Sequence, residues 1–210
     1  MLFSAFVIRN KRFSSNKKLI DYVFKVNTFL PRIFFYPLTP DQDKAEVQAL
    51  LEKLEKRPLK NVLEVGTGFG GMTFLFSKLT VKNGKVFTVD LGTNELHRYF
   101  LQHLAVGKKL LTVSLDSHNS KTLEIAKNFF QGEPIDLLYI DGDHAFSSVL
   151  QDYKLCSSLT EKGGLIVFHD IADSKLGVPK FWNTLPLENR TEILGHNFID
   201  KYGTGVLIVQ

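Results

Sequence analysis

The sequence predicts an α/β fold: a mostly parallel sheet with helices over both faces. Three observations carry that expectation. Short, nearly continuous apolar runs at 62–65, 85–90, 110–115, 135–140 and 165–168 alternate with segments of helical periodicity, the pattern of strands buried on both sides. The first run breaks into Gly66-Thr67-Gly68-Phe69-Gly70-Gly71 and resumes as a helix. The last two runs, 191–195 and 205–209, have no helix between them, so they pair as a hairpin or lie close together. One edge of the sheet is therefore expected to be antiparallel.

The chain opens on a segment unlike the rest. Residues 1–36 hold Arg9, Lys11, Arg12, Lys17, Lys18, Lys25 and Arg32 against a single acid, Asp21, together with nine aromatics. Of the 26 basic and 22 acidic residues in the 210-residue chain, this leaves 19 and 21 for the remainder. The net charge of +4 therefore belongs to the N-terminal segment, and the body is mildly acidic. Leu19, Val23, Val26 and Leu30 recur at helical spacing and predict an amphipathic helix over 16–30, ended by Pro31. We read residues 1–36 as a cap packed on the main domain, residues 37–210. A lid over an acceptor pocket and a homodimer contact are sharper versions of the same reading. Two arginines and several serines before residue 20 also resemble a mitochondrial presequence loosely.

Residues 37–41 form a linker in which Thr39 or Asp41 is expected to cap the next helix. That helix, 43–56, presents Val47, Leu50, Leu51 and Leu54 on one face. The first strand follows, then the glycine turn and a helix bearing Met72, Phe74, Leu75, Phe76 and Leu79. Asn83-Gly84 turns into the second strand, which ends in Asp90. A helix over 95–105 leads to the third strand, ending in Asp116-Ser117. Helix 121–130 leads to the fourth, ending in Asp141. Helix 147–159 and the turn Gly163-Gly164 lead to the fifth, ending in His169-Asp170, and a short helix over 178–185 precedes the closing pair.

Composition excludes several classes. An apolar content of 44% and a charged content of 23% argue against global disorder. One cysteine, Cys156, permits neither a disulfide framework nor a CxxC zinc site. No apolar run approaches the roughly 18–20 residues of a membrane span. Cytoplasmic localisation is the expectation.

Ligands of open parallel sheets bind beyond the C-terminal strand ends, where strand order reverses. The glycine turn, Asp90, Asp116-Ser117, Asp141 and His169-Asp170 all fall at such ends and line one cleft. Bare backbone N–H groups at the start of a helix suit a polar or anionic nucleotide-like ligand.

The ordered set Glu64-x-Gly66-x-Gly68-x-Gly70, Asp90, Asp116 and the closing hairpin resembles the class I S-adenosylmethionine-dependent methyltransferases over residues 40–210. That resemblance implies a Rossmann-like seven-stranded sheet in the order 3-2-1-4-5-7-6 with an antiparallel last strand. It implies that Glu64, Gly66, Thr67, Gly68 and Gly70 hold the methionine part of S-adenosylmethionine. Asp90, with Leu91, would take the ribose, and Asp116 and Ser117 would sit by the adenine. Gly66, Gly68 and Gly71 also satisfy the G-x-G-x-x-G dinucleotide fingerprint, so an NAD(P)-dependent oxidoreductase is the competing reading. Glu64 and the hairpin favour the methyltransferase.

Asp141-Gly142-Asp143-His144 and the strand ending in His169-Asp170 look like the O-methyltransferases of catechols, caffeoyl groups and macrolide or glycan sugars. By that resemblance Asp141, His169 and Asp170 would hold Mg²⁺ or Mn²⁺, Asp141 also contacting the cofactor, and His144 would deprotonate the acceptor hydroxyl. The family more usually has a carboxylate or amide at position 169. Imidazole suits Mn better than Mg, so metal binding stays an open expectation. The plainer alternatives are a His169 hydrogen-bonded to a neighbour and a His144 satisfied by its own helix turn. Nucleic-acid methylation is disfavoured, because amino-methylating DNA enzymes carry a proline-containing motif where this chain has Asp141–His144. A small-molecule or sugar acceptor is expected instead, with its pocket shaped by the N-terminal aromatics and by 176–182.

Overall fold

Each predicted strand is present in the computed structural model, which describes residues 8, 10–29, 38–105, 109–195 and 202–210. The strands are β1 (Leu59–Val65), β2 (Thr80–Asp90), β3 (Lys109–Ser114), β4 (Ile135–Ile140), β5 (Thr160–Phe168), β6 (Arg190–Ile193) and β7 (Thr204–Ile208). They form one sheet in the order β3-β2-β1-β4-β5-β7-β6. β7 runs antiparallel to both β5 and β6, and the other neighbours are parallel. This is the expected Rossmann-like topology, with its order reversing between β1 and β4.

The helices are α1 (Asn16–Phe29), α2 (Lys44–Leu54), α3 (Gly71–Leu79), α4 (Glu95–Gln102), α5 (Ser120–Phe130), α6 (Phe146–Cys156) and α7 (Val178–Trp182). Alternation along the strands divides the core in two. On one face Val62, Val86, Leu137 and Val167 pack under α1–α4, through Leu19, Ile20 and Val23, then Leu50, Leu51, Phe74, Leu75 and Phe100. On the other, Leu63, Phe87, Leu138 and Ile166 pack against α5–α7, through Ala126, Phe130, Val149, Phe181 and Trp182. Among the described residues no helix is long and apolar enough to cross a membrane.

Three expectations are corrected. Asn83-Gly84 and Gly163-Gly164 do not precede their strands but lie inside longer ones. Register shifts between Leu59 and Asn61, and between Ile135 and Leu137, absorb them as bulges. Asp43, not Thr39 or Asp41, caps α2, accepting from the N–H groups of Ala45 and Glu46 at 2.8 and 3.2 Å. Residues 176–182 do not line the strand-end cleft described below, and Val178, Phe181 and Trp182 among them are buried in the core. Leu30, Pro31 and most of the aromatic residues credited to the cap lie outside the described residues.

Candidate active site

β1, β2, β4 and β5 finish nearly level, Val65 pairing with Val89 and Ile140, and Ile140 with Phe168. The residues just beyond them enclose a cleft of about 670 Å³ at the reversal point.

Its glycine wall is fixed by close backbone approach. Gly66 (φ +92°) donates to the Val89 carbonyl at 2.9 Å, and a Cβ there would lie 1.8 Å from the Asp141 carbonyl oxygen. Gly68 (φ +49°) faces open space: an added Cβ would meet nothing nearer than Asp41 Oδ2 at 4.0 Å. Its N–H donates to Asp90 Oδ2 at 2.9 Å, while Gly92 N–H donates to Oδ1 at 2.6 Å. Asp90 therefore fastens the turn to the end of β2. The Thr67 and Thr88 hydroxyls share a hydrogen bond of 2.6 Å beneath the turn, and Leu91 lies exposed at the rim. Gly70, unlike the others, does not line the cleft. It starts α3, and its bare Cα accommodates Leu101, whose Cδ2 an added Cβ would approach to 2.4 Å.

Glu64 forms part of the floor. It is fully buried, Oε2 accepts from the Thr73 hydroxyl, and Oε1 has no hydrogen-bond partner. Burial pushes its pKa up to about 8. Beyond β3, Asp116 Oδ1 accepts from the His118 N–H at 2.9 Å, and Asp116, Ser117 and His118 all line the cleft.

The opposite wall gathers the acids and imidazoles. Asp141, His144 and Asp170 offer ligand atoms that all lie within 4.8 Å of one another. His144 Nε2 is 3.2 Å from Asp170 Oδ2 and 4.0 Å from Asp141 Oδ1. Its loop is held by Gly177 N–H donating to the His144 carbonyl and by Asp143, which accepts from Ala145 N–H and the Ser148 hydroxyl. His169 is buried between the acids, with Nδ1 3.2 Å from Asp141 Oδ1 and 3.3 Å from Asp170 Oδ1. Burial opposes its charge, but the hydrogen bonds and negative charge of Asp141 and Asp170 outweigh that and raise its pKa to about 10. Its ring stacks on Tyr202 at 5.7 Å, and Nε2 is buried without a partner. Asp170 adopts φ +61°, left-handed backbone that aspartate tolerates better than most residues. Gln42 Nε2 donates to Asp141 Oδ2 from the linker before α2.

A family described as "Methyltransferase domain" matches residues 63–171, from β1 to just past β5. The chain belongs to this family. The methyltransferase domain resembles an uncharacterised protein of Acanthamoeba polyphaga mimivirus, 49% identical over 133 residues. That match covers 60% of this chain and 58% of the relative's length. Among solved structures, the O-methyltransferase TomG of Streptomyces achromogenes, in complex with SAM, superposes with a TM-score of 0.62 at 14% identity, covering 95% of this chain and 92% of TomG. MycE of the mycinamycin pathway, in complex with Mg, SAH and mycinamycin VI, gives 0.56 at 17%, covering 91% and 54%. A putative rRNA methylase of Clostridium thermocellum gives 0.59 at 13%, covering 80% and 100%. These likenesses establish the fold of the methyltransferase domain and leave its acceptor to be argued from the site.

The site fits the group the family implies. Bare backbone at Gly66 and Gly68 opens one wall, and the orphaned Glu64 Oε1 awaits a donor or cation. Sequence reasoning missed Asp41, Gln42, His118 and Tyr202 as lining residues. Burial, then Asp141, raises the pKa of Asp41.

Proposed function

We propose that the chain is an S-adenosylmethionine-dependent O-methyltransferase acting on a hydroxyl of a small molecule or sugar. The observation that carries this reading is one cleft with two walls. A bare glycine turn tied to the acid ending β2 faces the carboxylate–imidazole group of Asp141, His144 and Asp170. The first suits a nucleoside-bearing methyl donor, and the second suits taking the proton from an alcohol.

In this reading Gly66, Thr67 and Gly68 hold the methionine part of the donor, with Glu64 Oε1 below it and Gly70 supporting the turn from behind. Asp90 and Leu91 take the ribose; each Asp90 oxygen, though engaged with Gly68 or Gly92, keeps accepting capacity. Asp116 and Ser117 bound the adenine. The donor, when bound, supplies a methyl group on a positively charged sulfur. His144 takes the hydroxyl proton at Nδ1, since its Nε2 is turned to Asp170, and the Asp170 carboxylate balances the imidazolium formed. Asp141, held by Gln42 and His169, adds negative charge to the same wall.

A divalent ion would be held by Asp141 and Asp170, with a nitrogen from His169 or His144, and would lower the hydroxyl pKa. His144 cannot be both ligand and base. His169 can ligate through Nδ1 only by surrendering the proton it shares with both acids. A nitrogen donor favours Mn²⁺ over Mg²⁺. Action in a reducing compartment such as the cytoplasm belongs to the same proposal, supported by the lone, buried Cys156.

His144→Ala tests the base. Labelled methyl transfer to a panel of catechols and sugars is expected to disappear, while S-adenosylhomocysteine binds as in the wild type by calorimetry. Near-normal turnover would remove His144 from the mechanism. A wild type that binds no S-adenosylhomocysteine would remove the methyl donor.

A further inference from the structure

Asp152 is a buried carboxylate that the methyl-transfer reading leaves without a task. It lies on the inward face of α6 between Val149 and Cys156, a position where the helix otherwise buries apolar groups. Its side chain is 1% exposed, and the polar side chains that face it are those of Ser117 and His118, at the end of the cleft beyond β3. The closest ion-pair partner is His118, whose Nε2 stands 3.3 Å from Asp152 Oδ1 and 3.2 Å from the Ser148 carbonyl oxygen. A carbonyl oxygen only accepts, so Nε2 carries a hydrogen, and with a single ring hydrogen placed there Nδ1 keeps its lone pair. Nδ1 lies 3.8 Å from Asp116 Oδ1, and both residues line the cleft beside Leu115 and Ser117. Two neighbouring acceptors complement an amino group with two hydrogens and repel a carbonyl oxygen.

We propose that His118, oriented by Asp152 and the Ser148 carbonyl, reads the exocyclic amino group of the cofactor's purine together with Asp116. His118 is then a specificity-determining residue, and Asp152 is a positioning residue acting through it. The inference rests on the S-adenosylmethionine reading above. It goes beyond that reading by assigning residues that the strand-end pattern does not reach.

Calorimetric binding of S-adenosylhomocysteine and its 6-oxo counterpart, S-inosylhomocysteine, tests it. The wild type is expected to favour the amino form by about tenfold or more, the scale of one unpaired hydrogen-bonding group. His118→Phe keeps a ring of similar area and removes both nitrogens, so a role in packing alone would leave the preference intact. The inference expects most of the preference to vanish in this variant, and also in Asp152→Asn. A wild type that binds neither compound overturns the cofactor reading and this inference with it. A wild type that binds both equally, or a His118→Phe that keeps the preference, overturns this inference alone. Asp152→Asn with the wild-type ratio overturns the positioning role of Asp152, and His118→Phe, at a partly exposed residue, tests His118 independently of it.

Discussion

Replacing Glu64 by Gln isolates the energetic consequence of putting a carboxyl group in the floor of the cleft. The side chain is wholly buried on β1, one oxygen is bonded to Thr73, and the other is orphaned. Burial, as the leading cause, raises its pKa from 4.5 to about 8. For an acid with a raised folded-state pKa, the native protein binds the proton more tightly than the unfolded chain. No penalty exists below pH 4.5, where both states are protonated. The penalty grows as pH rises through the interval and is complete above about 8. At about 1.4 kcal/mol per pH unit, the span amounts to roughly 5 kcal/mol at alkaline pH, an upper bound because the cleft can admit water to an ionised group. Gln preserves the shape and can still accept from Thr73, so Glu64→Gln removes the ionisation and little else. Urea denaturation of both proteins from pH 4 to 9 should show near-equal stability at the acid end. The variant's advantage should widen steadily towards pH 8, other titrating groups cancelling in the difference. A stability difference that does not change with pH would refute the reasoning, whatever its size.

Two further predictions follow from the same cleft. Gly66→Ala places a Cβ 1.8 Å from the Asp141 carbonyl oxygen at φ +92°, so β1 and β4 must part or the turn must refold. A loss of roughly 3 kcal/mol or more is expected, visible as a lowered thermal midpoint or as insoluble protein; a near-wild-type midpoint would mean the turn is not packed as described. Mn²⁺ added to EDTA-treated protein should raise the thermal midpoint of the wild type, by about 2.7 kcal/mol of stability at a hundredfold excess over its dissociation constant. It should leave an Asp141→Asn, Asp170→Asn double variant unmoved, and an equal rise in both would place the ion elsewhere.

Much of the fold was legible because the central strands are buried on both faces, which turns each one into a run of apolar residues that no helix interrupts. Strand ends were legible for a related reason. Once β1, β2, β4 and β5 finish level, whatever polar residue follows each run must share the cleft, and so Asp90, Asp141 and His169 were found without any contact being known. The bulges were not legible, since Asn83-Gly84 and Gly163-Gly164 carry the same local signal as a turn that ends pairing. Gln42 gave no signal either. It reaches Asp141 across 99 residues of sequence, and only the packing of the linker over the glycine turn brings it there. Asp152 did leave a trace, a charged residue between Val149 and Cys156 on an otherwise apolar helix face, which periodicity alone treats as an exception.

His169 marks where residue type and residue role separate. Two carboxylates enclosed as closely as Asp141 and Asp170, whose side chains are 12% and 7% exposed, call for positive charge between them. The sequence identifies the place where that charge is needed, since both acids end strands, but not what supplies it. A divalent ion would do so with His169 as a ligand. The folded arrangement does it with His169 itself, Nδ1 bridging the two acids at 3.2 and 3.3 Å and its pKa held at about 10. Ion and imidazolium thus answer one electrostatic demand.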